Sequence, residues 1–182
     1  MRWRIIPALM LTAVIATTGC SDDKDPFEPG QDVEHVAGVY DIRTLTFDPN
    51  GSLEEKDIAA RLDPNIPPQL VIGLDRTFQI AFIDPVTRRI DTVEGTLQVL
   101  TGGVRLNFAT LDGAQRILLP RRLDLELDQA AGTLSFTGDV DVSLARLIEL
   151  VPEFEEEQLR DPVRGTLTVK FTRRASANAS VP

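Results

Sequence analysis

Between residues 37 and 173 the dominant pattern is strict alternation of apolar and polar positions. Val104, Leu106 and Phe108 alternate with Arg105 and Asn107, and Leu123, Leu125 and Leu127 with Arg122, Asp124, Glu126 and Asp128. Phe78, Ile80 and Phe82 alternate with Thr77, Gln79 and Ala81, and Leu167, Val169 and Phe171 with Thr166, Thr168, Lys170 and Thr172. Alternation of this length marks strands with one buried face and one wet face. It predicts eight strands, over 37–47, 69–74, 77–83, 91–100, 104–110, 116–128, 132–141 and 164–173. Pro120 falls inside the sixth and cannot donate to a ladder, so a bulge or kink is expected there.

The connections are short and rich in turn residues. Asp75-Arg76, Asp84-Pro85, Thr101-Gly102-Gly103, Asp112-Gly113 and Ala131-Gly132 separate successive strands. Strands two to seven therefore read as an antiparallel meander. A Gly-Thr-Leu echo at Gly95, Gly132 and Gly165 places a glycine at points where a sheet can coil sharply. Two segments change period. Ser52 with Glu55 forms a capping box that opens a helix to Leu62, with Ile58 and Leu62 as its apolar edge. Ser143 opens a second helix with Leu144, Leu147, Ile148 and Val151 on one stripe, ended or kinked by Pro152. Glu153–Leu159 is a candidate for a further turn.

Eight short amphipathic strands need a closed barrel or a two-sheet sandwich to bury their apolar faces. The meander favours a mainly β, eight-stranded antiparallel up-and-down barrel with two short helices; the alternative is a β-sandwich. In the barrel the last strand pairs with the first and removes both edges. Gly38-Val39-Tyr40 at the start of the first strand resembles the Gly-x-Trp of the lipocalin-like, calycin group, with tyrosine in place of tryptophan. The resemblance covers about residues 37–174. It implies a barrel that holds one apolar molecule, and it gives Arg173 the role of the arginine that packs over the aromatic ring. It brings no catalytic residue with it.

The amino terminus has a different grammar. Met1-Arg2-Trp3-Arg4 is basic, Ile5–Thr18 is a short apolar run, and Thr17-Thr18-Gly19 leads to Cys20, the single cysteine of the chain. This is the layout of a secretory signal. Ending at cysteine, it resembles a bacterial lipoprotein signal, with threonine at position 17 where leucine is usual. The resemblance implies cleavage before Cys20 and acylation of its thiol. The expected organisation is then a signal over 1–19, a lipidated acidic tether over 20–36, the barrel domain over 37–174 and a tail over 175–182. The implied location is the cell envelope, lipid-anchored. Ser21 follows the cysteine, which points to the outer membrane, facing the periplasm or the cell surface.

Charge removes one class of partner. The chain carries 19 basic and 28 acidic residues. Loss of Arg2 and Arg4 with the signal leaves a net charge of about −11. Nucleic acid is not an expected partner, because duplex binding rests on neutralising phosphates.

Candidate chemistry is sparse. His35 is the only histidine and sits at the tether boundary, and Cys20 is the only thiol. No zinc ligand set, metal site, cofactor motif or nucleophile–base pair emerges, and no enzyme is expected. Asp48-Pro49-Asn50-Gly51 has its glycine too early for a calcium loop and reads as a turn. Glu153–Glu157 reads as a solvated acidic face, and Arg88-Arg89 and Arg121-Arg122 as surface pairs.

Two functions from different classes fit. The leading one is a lipid-anchored envelope binding module that holds a small hydrophobic molecule inside the barrel. Its expected lining is Tyr40, Ile72, Phe78, Ile80, Phe82, Leu97, Leu106, Phe108, Leu125, Phe136 and Phe171. The alternative is a structural or assembly lipoprotein, whose solid barrel contacts another envelope protein. Both rest on the anchor. Cys20→Ser should move the protein from the membrane pellet to the soluble envelope fraction after a carbonate wash; unchanged pelleting would contradict acylation.

Overall fold

The computed structural model describes residues 33–50, 53–63, 65–157 and 159–175. Cys20, the signal, most of the tether, Ser52 of the expected capping box and residues 176–182 lie outside the described residues.

The strands are β1 (Gly38–Pro49), β2 (Lys56–Asp57), β3 (Gln69–Ile72), β4 (Thr77–Ile83), β5 (Ile90–Leu100), β6 (Gly103–Phe108), β7 (Arg122–Asp128), β8 (Thr133–Val142) and β9 (Val163–Arg173). From β3 onward each pairs antiparallel with the next, and β3 also pairs with β1. β9 returns to β1 along its length, from Tyr40↔Arg173 to Pro49↔Gly165. The result is a closed eight-stranded antiparallel barrel, with two-residue β2 added beside the far half of β1. The sandwich alternative is thereby set aside.

Alternation fills the interior as the sequence requires. Tyr40, Ile42, Leu70, Ile80, Leu106, Leu134, Leu167 and Phe171 are essentially inaccessible. In β1 the phase changes once. Ile42 faces Phe171 and Thr44 faces Lys170, so Arg43 is the extra residue of a bulge. The bulge lets Leu45 and Phe47 follow Tyr40 and Ile42 into the core despite the odd spacing.

Helical segments gather where β1, β4, β6 and β8 end. They are α1 (Ile58–Leu62), α2 (Leu111–Gln115), α3 (Leu144–Leu150) and a 3-10 turn (Pro152–Glu156). Ile58, Leu62, Leu147, Leu150 and Phe154 from these segments, with Val151 between α3 and the 3-10 turn, join the barrel core. Side chains lock them together. Gln115 donates to the Leu119 carbonyl and accepts from the Ser143 amide, and Arg61 pairs with Glu153 at 2.5 Å.

Two local expectations need correction. Strand six does not span 116–128, and the Asp112-Gly113 turn is helical instead. The Thr110 hydroxyl accepts from the Gly113 amide and caps α2, which the alternation does not foretell. Residues 116–121 then form a connection in which Leu118 takes φ +57° and Ile117, Leu118 and Leu119 are buried together. Pro120 lies in this connection, so it neither bulges nor kinks a strand. The first helix begins later than expected: Asp57 is its cap, accepting from the Ala60 amide, and Lys56–Asp57 is strand. Ser143 opens α3 as expected, without a side-chain cap; Asp161 accepts from the Leu144 amide.

Closure can be tested by truncation. Phe171 is inaccessible on the inner face of β9, while its neighbour Thr172 faces outward. Phe171→Ala should lower stability by about 3–5 kcal/mol. Thr172→Ala should change it by less than about 0.5 kcal/mol. Chemical denaturation measures both, and equal small effects would contradict closure through β9.

Candidate functional site

Of the side chains expected to line a ligand chamber, Tyr40, Ile72, Phe78, Ile80, Phe82, Leu97, Leu106, Phe108, Leu125 and Phe171 are brought together in one buried cluster. They touch one another and their neighbours in the barrel. Phe78 and Phe108 meet edge to face with centroids 5.0 Å apart. Inward glycines accommodate the rings. A Cβ on Gly95 would run into the Asn107 carbonyl oxygen and lie 2.7 Å from Phe78, and one on Gly165 would lie 2.5 Å from both the Asp48 carbonyl oxygen and Phe47, so neighbouring backbone and ring both require glycine there. The Gly95 and Gly165 of the sequence echo are therefore seats for phenyl rings across the wall, a pairing that also pins register.

Both ends are covered as well. At one end are α1, α2, α3 and the 116–121 connection. At the other, Val33–Ala37 forms a turn whose Val36 is buried. The Tyr40 hydroxyl donates to the Val36 carbonyl at 2.8 Å. The Arg173 guanidinium stands 5.5 Å from the Tyr40 ring centroid and donates to the Ala37 carbonyl. Arg173 thus packs over the aromatic ring in the manner the resemblance implied. Burial raises the Tyr40 pKa, and the Arg173 charge opposes that rise.

The wall itself is interrupted. β8 pairs with β9 without a break from Thr133↔Thr172 to Val142↔Val163. Its ladder with β7 has three pairs, Glu126↔Ser135, Leu127↔Leu134 and Asp128↔Thr133, and then stops. Beyond Ser135 the strands diverge and leave a seam. Phe136 has the inward phase of its strand, opposite Val169, yet is only half-buried because β7 no longer covers it. Its ring folds back over Gly138, where a Cβ would sit 2.9 Å away. A recess of about 620 Å³ opens here, lined by Leu100–Gly103 at the β5–β6 turn, Asp124–Leu127 of β7 and Ser135–Thr137 of β8.

Register fixes which backbone groups face this seam. The Arg173 amide donates to the Gly132 carbonyl, which makes Thr133↔Thr172 a wide pair and Leu134↔Phe171 a doubly bonded one. Continuing the alternation, Phe136, Gly138 and Val140 bond to β9, while the N–H and C=O of Thr137, Asp139 and Asp141 point towards β7. On the facing strand, the Phe108 amide donates to the Arg121 carbonyl, so Leu123 and Leu125 bond to β6 and Asp124 points into the seam. Among the described residues these seam-facing groups of β8 have no backbone partner beyond Ser135.

The rim is acidic. β7 and β8 carry Asp124, Glu126, Asp128, Asp139 and Asp141 against one cation, Arg122. Arg105 holds Asp124 with two hydrogen bonds, 2.7 and 2.8 Å, and these hydrogen bonds keep its carboxyl below the ordinary aspartate range. Asp139 is near Arg164 and Thr166, at 3.4 and 3.2 Å. Glu126 and Asp141 have no ion-pair partner among the described residues. No group of three or more His, Cys, Asp or Glu suited to a metal occurs among them either.

No known family model matches the sequence, and no curated protein is significantly similar to it.

The Arg105–Asp124 pair buttresses the β7 side of the seam and has a pH signature. Because the folded-state pKa of Asp124 is depressed, its contribution is present above the ordinary aspartate value of about 3.9 and lost as pH falls through the lower folded value. Asp124→Asn should cost at most about 1 kcal/mol at neutral pH, given partial exposure. It should also flatten the fall of melting temperature on acidification below about pH 4. Thermal melts across that range test this, and parallel curves for both proteins would contradict it.

Proposed function

We infer that this chain is a non-catalytic, lipid-anchored envelope protein whose barrel is a packed scaffold that contacts another envelope protein through its wall. The observation that carries this reading is the combination of a ring-filled interior with a seam between β7 and β8. Phe47 and Phe78 occupy the space their glycines leave, and both barrel ends are covered, so the interior offers side-chain packing where a ligand chamber would need room. The wall, by contrast, presents unpaired strand edges and a recess beside Phe136. Strand edges left open recruit other chains. The amino-terminal resemblance to lipoproteins supports membrane tethering through Cys20, and the acidic surface supports a protein partner over nucleic acid or an anionic lipid face.

A second reading has its own observation. The apolar side chains among those that line the recess, Leu100, Leu125, Leu127 and Phe136, also suit one small hydrophobic molecule bound at the wall.

Photo-crosslinking in the host cell separates these. A benzoylphenylalanine at Glu126 or Thr137 should yield one discrete protein adduct, and the same group at exposed Gln79 on β4 should yield none. Labelling from none of the three, or equally from Gln79, would overturn the protein-contact reading. Saturable one-to-one binding of anilinonaphthalene sulfonate, lost in Phe136→Glu and without protein adducts, would replace it with the small-molecule one.

A further inference from the structure

We propose that the seam is a strand-docking site: it takes an extended segment of the partner protein, of alternating basic and apolar residues, which adds to the open edge of β8. The proposal rests on the wall-contact reading above and names the chemistry of its partner.

Three features of the seam specify that chemistry. The first is the backbone. Thr137 and Asp139 offer N–H and C=O groups at the two-residue spacing that an added strand matches, and β9 already holds the alternate residues in line. Main-chain recognition of this kind demands an extended peptide and is indifferent to its sequence. The second is the outer face. Every β8 residue that points its backbone into the seam points its side chain outward, and two of them, Asp139 and Asp141, are carboxylates. Glu126 stands on the facing strand. An added strand would set its outward side chains beside these acids; Asp139 already lies near Arg164, so lysine or arginine would answer Asp141 and Glu126, which have no ion pair among the described residues. The third is the inner face. The alternate side chains of the same segment would point at Phe136, Leu125 and Leu127, which are apolar. Basic-out and apolar-in at period two is therefore one requirement imposed by one register.

The seam has a natural lower limit. Gln115 ties the Leu119 carbonyl to the Ser143 amide, so the 116–121 connection closes the gap below Asp141. A short segment fills it.

The probe is a fluorescent hexapeptide, Lys-Val-Lys-Ile-Lys-Val, titrated against the full chain in detergent micelles and read by anisotropy. Saturable binding is expected, at least tenfold weaker for a peptide of the same composition in blocked order, Lys-Lys-Lys-Val-Val-Ile. Methylating the peptide amides on one edge should abolish binding, while methylating the other edge should leave it intact. Asp139→Pro removes a seam-facing N–H and no β9 ladder bond, so it should keep the melting temperature within a few degrees and weaken binding at least tenfold. If that variant fails to fold, the methylated peptides still decide the matter. Equal affinity for the ordered and blocked peptides, or indifference to methylation of either edge, would overturn strand addition. That result would leave the wall-contact reading standing whenever the Thr137 adduct forms in cells. Loss of the adduct would remove both.

Discussion

The pairing of β9 with β1 is the constraint from which the rest of this structure follows. Without it, eight amphipathic strands form an open sheet whose apolar face has nothing to cover it. With it, the sheet covers itself, and Tyr40, Ile42, Leu45, Phe47, Leu167, Val169 and Phe171 meet along the closing line. The bulge at Arg43 belongs to the same requirement. It changes the phase of β1 midway, so that Tyr40 and Ile42 before it and Leu45 and Phe47 after it all face inward, while the first half pairs with β3, the second with β2, and both with β9. Closure also places Arg173 over Tyr40, joining the last strand to the turn that covers that end.

An eight-stranded barrel has an interior that side chains can fill, and buried phenylalanines occupy part of this one. Phe47 and Phe78 lie against glycines that cannot accept a Cβ without displacing a ring. A packed core at native density has few voids large enough for a ligand. The proposed function accordingly lies on the wall, where one ladder ends early. The divergence of β7 from β8 costs backbone pairing and leaves Phe136 half-uncovered. A chain of the proposed kind would restore that pairing, and the acidic rim would disfavour a second copy of itself there.

Much of the fold was legible because alternation reports directly on which face a residue takes. Val104–Phe108 and Leu167–Phe171 needed nothing further. Helix α2 was hidden because Leu111–Gln115 is shorter than any window in which a helical period shows, and because Asp112-Gly113 has the composition of a turn. The Thr110 cap was the available signal. Ile117-Leu118-Leu119 looked like strand since a continuous apolar run does not distinguish a buried strand from a buried connection. The seam was not legible at all. Leu123–Leu127 and Leu134–Val142 alternate equally well, and alternation says nothing about whether a neighbour pairs. Gly95 and Gly165 were visible as glycines, but their role required knowing that Phe78 stands opposite one and Phe47 beside the other.

The proposed function depends on the seam, and amide exchange resolved by residue along β8 tests the seam most directly. Bonding to β9 alone predicts a sawtooth: slow exchange at Phe136, Gly138 and Val140, fast exchange at Thr137 and Asp139, and slow exchange again at Ser135, where the β7 ladder begins. Uniformly slow exchange from Ser135 to Val140 would show that β7 pairs with β8 throughout, and would leave the barrel without the open edge on which its proposed function depends.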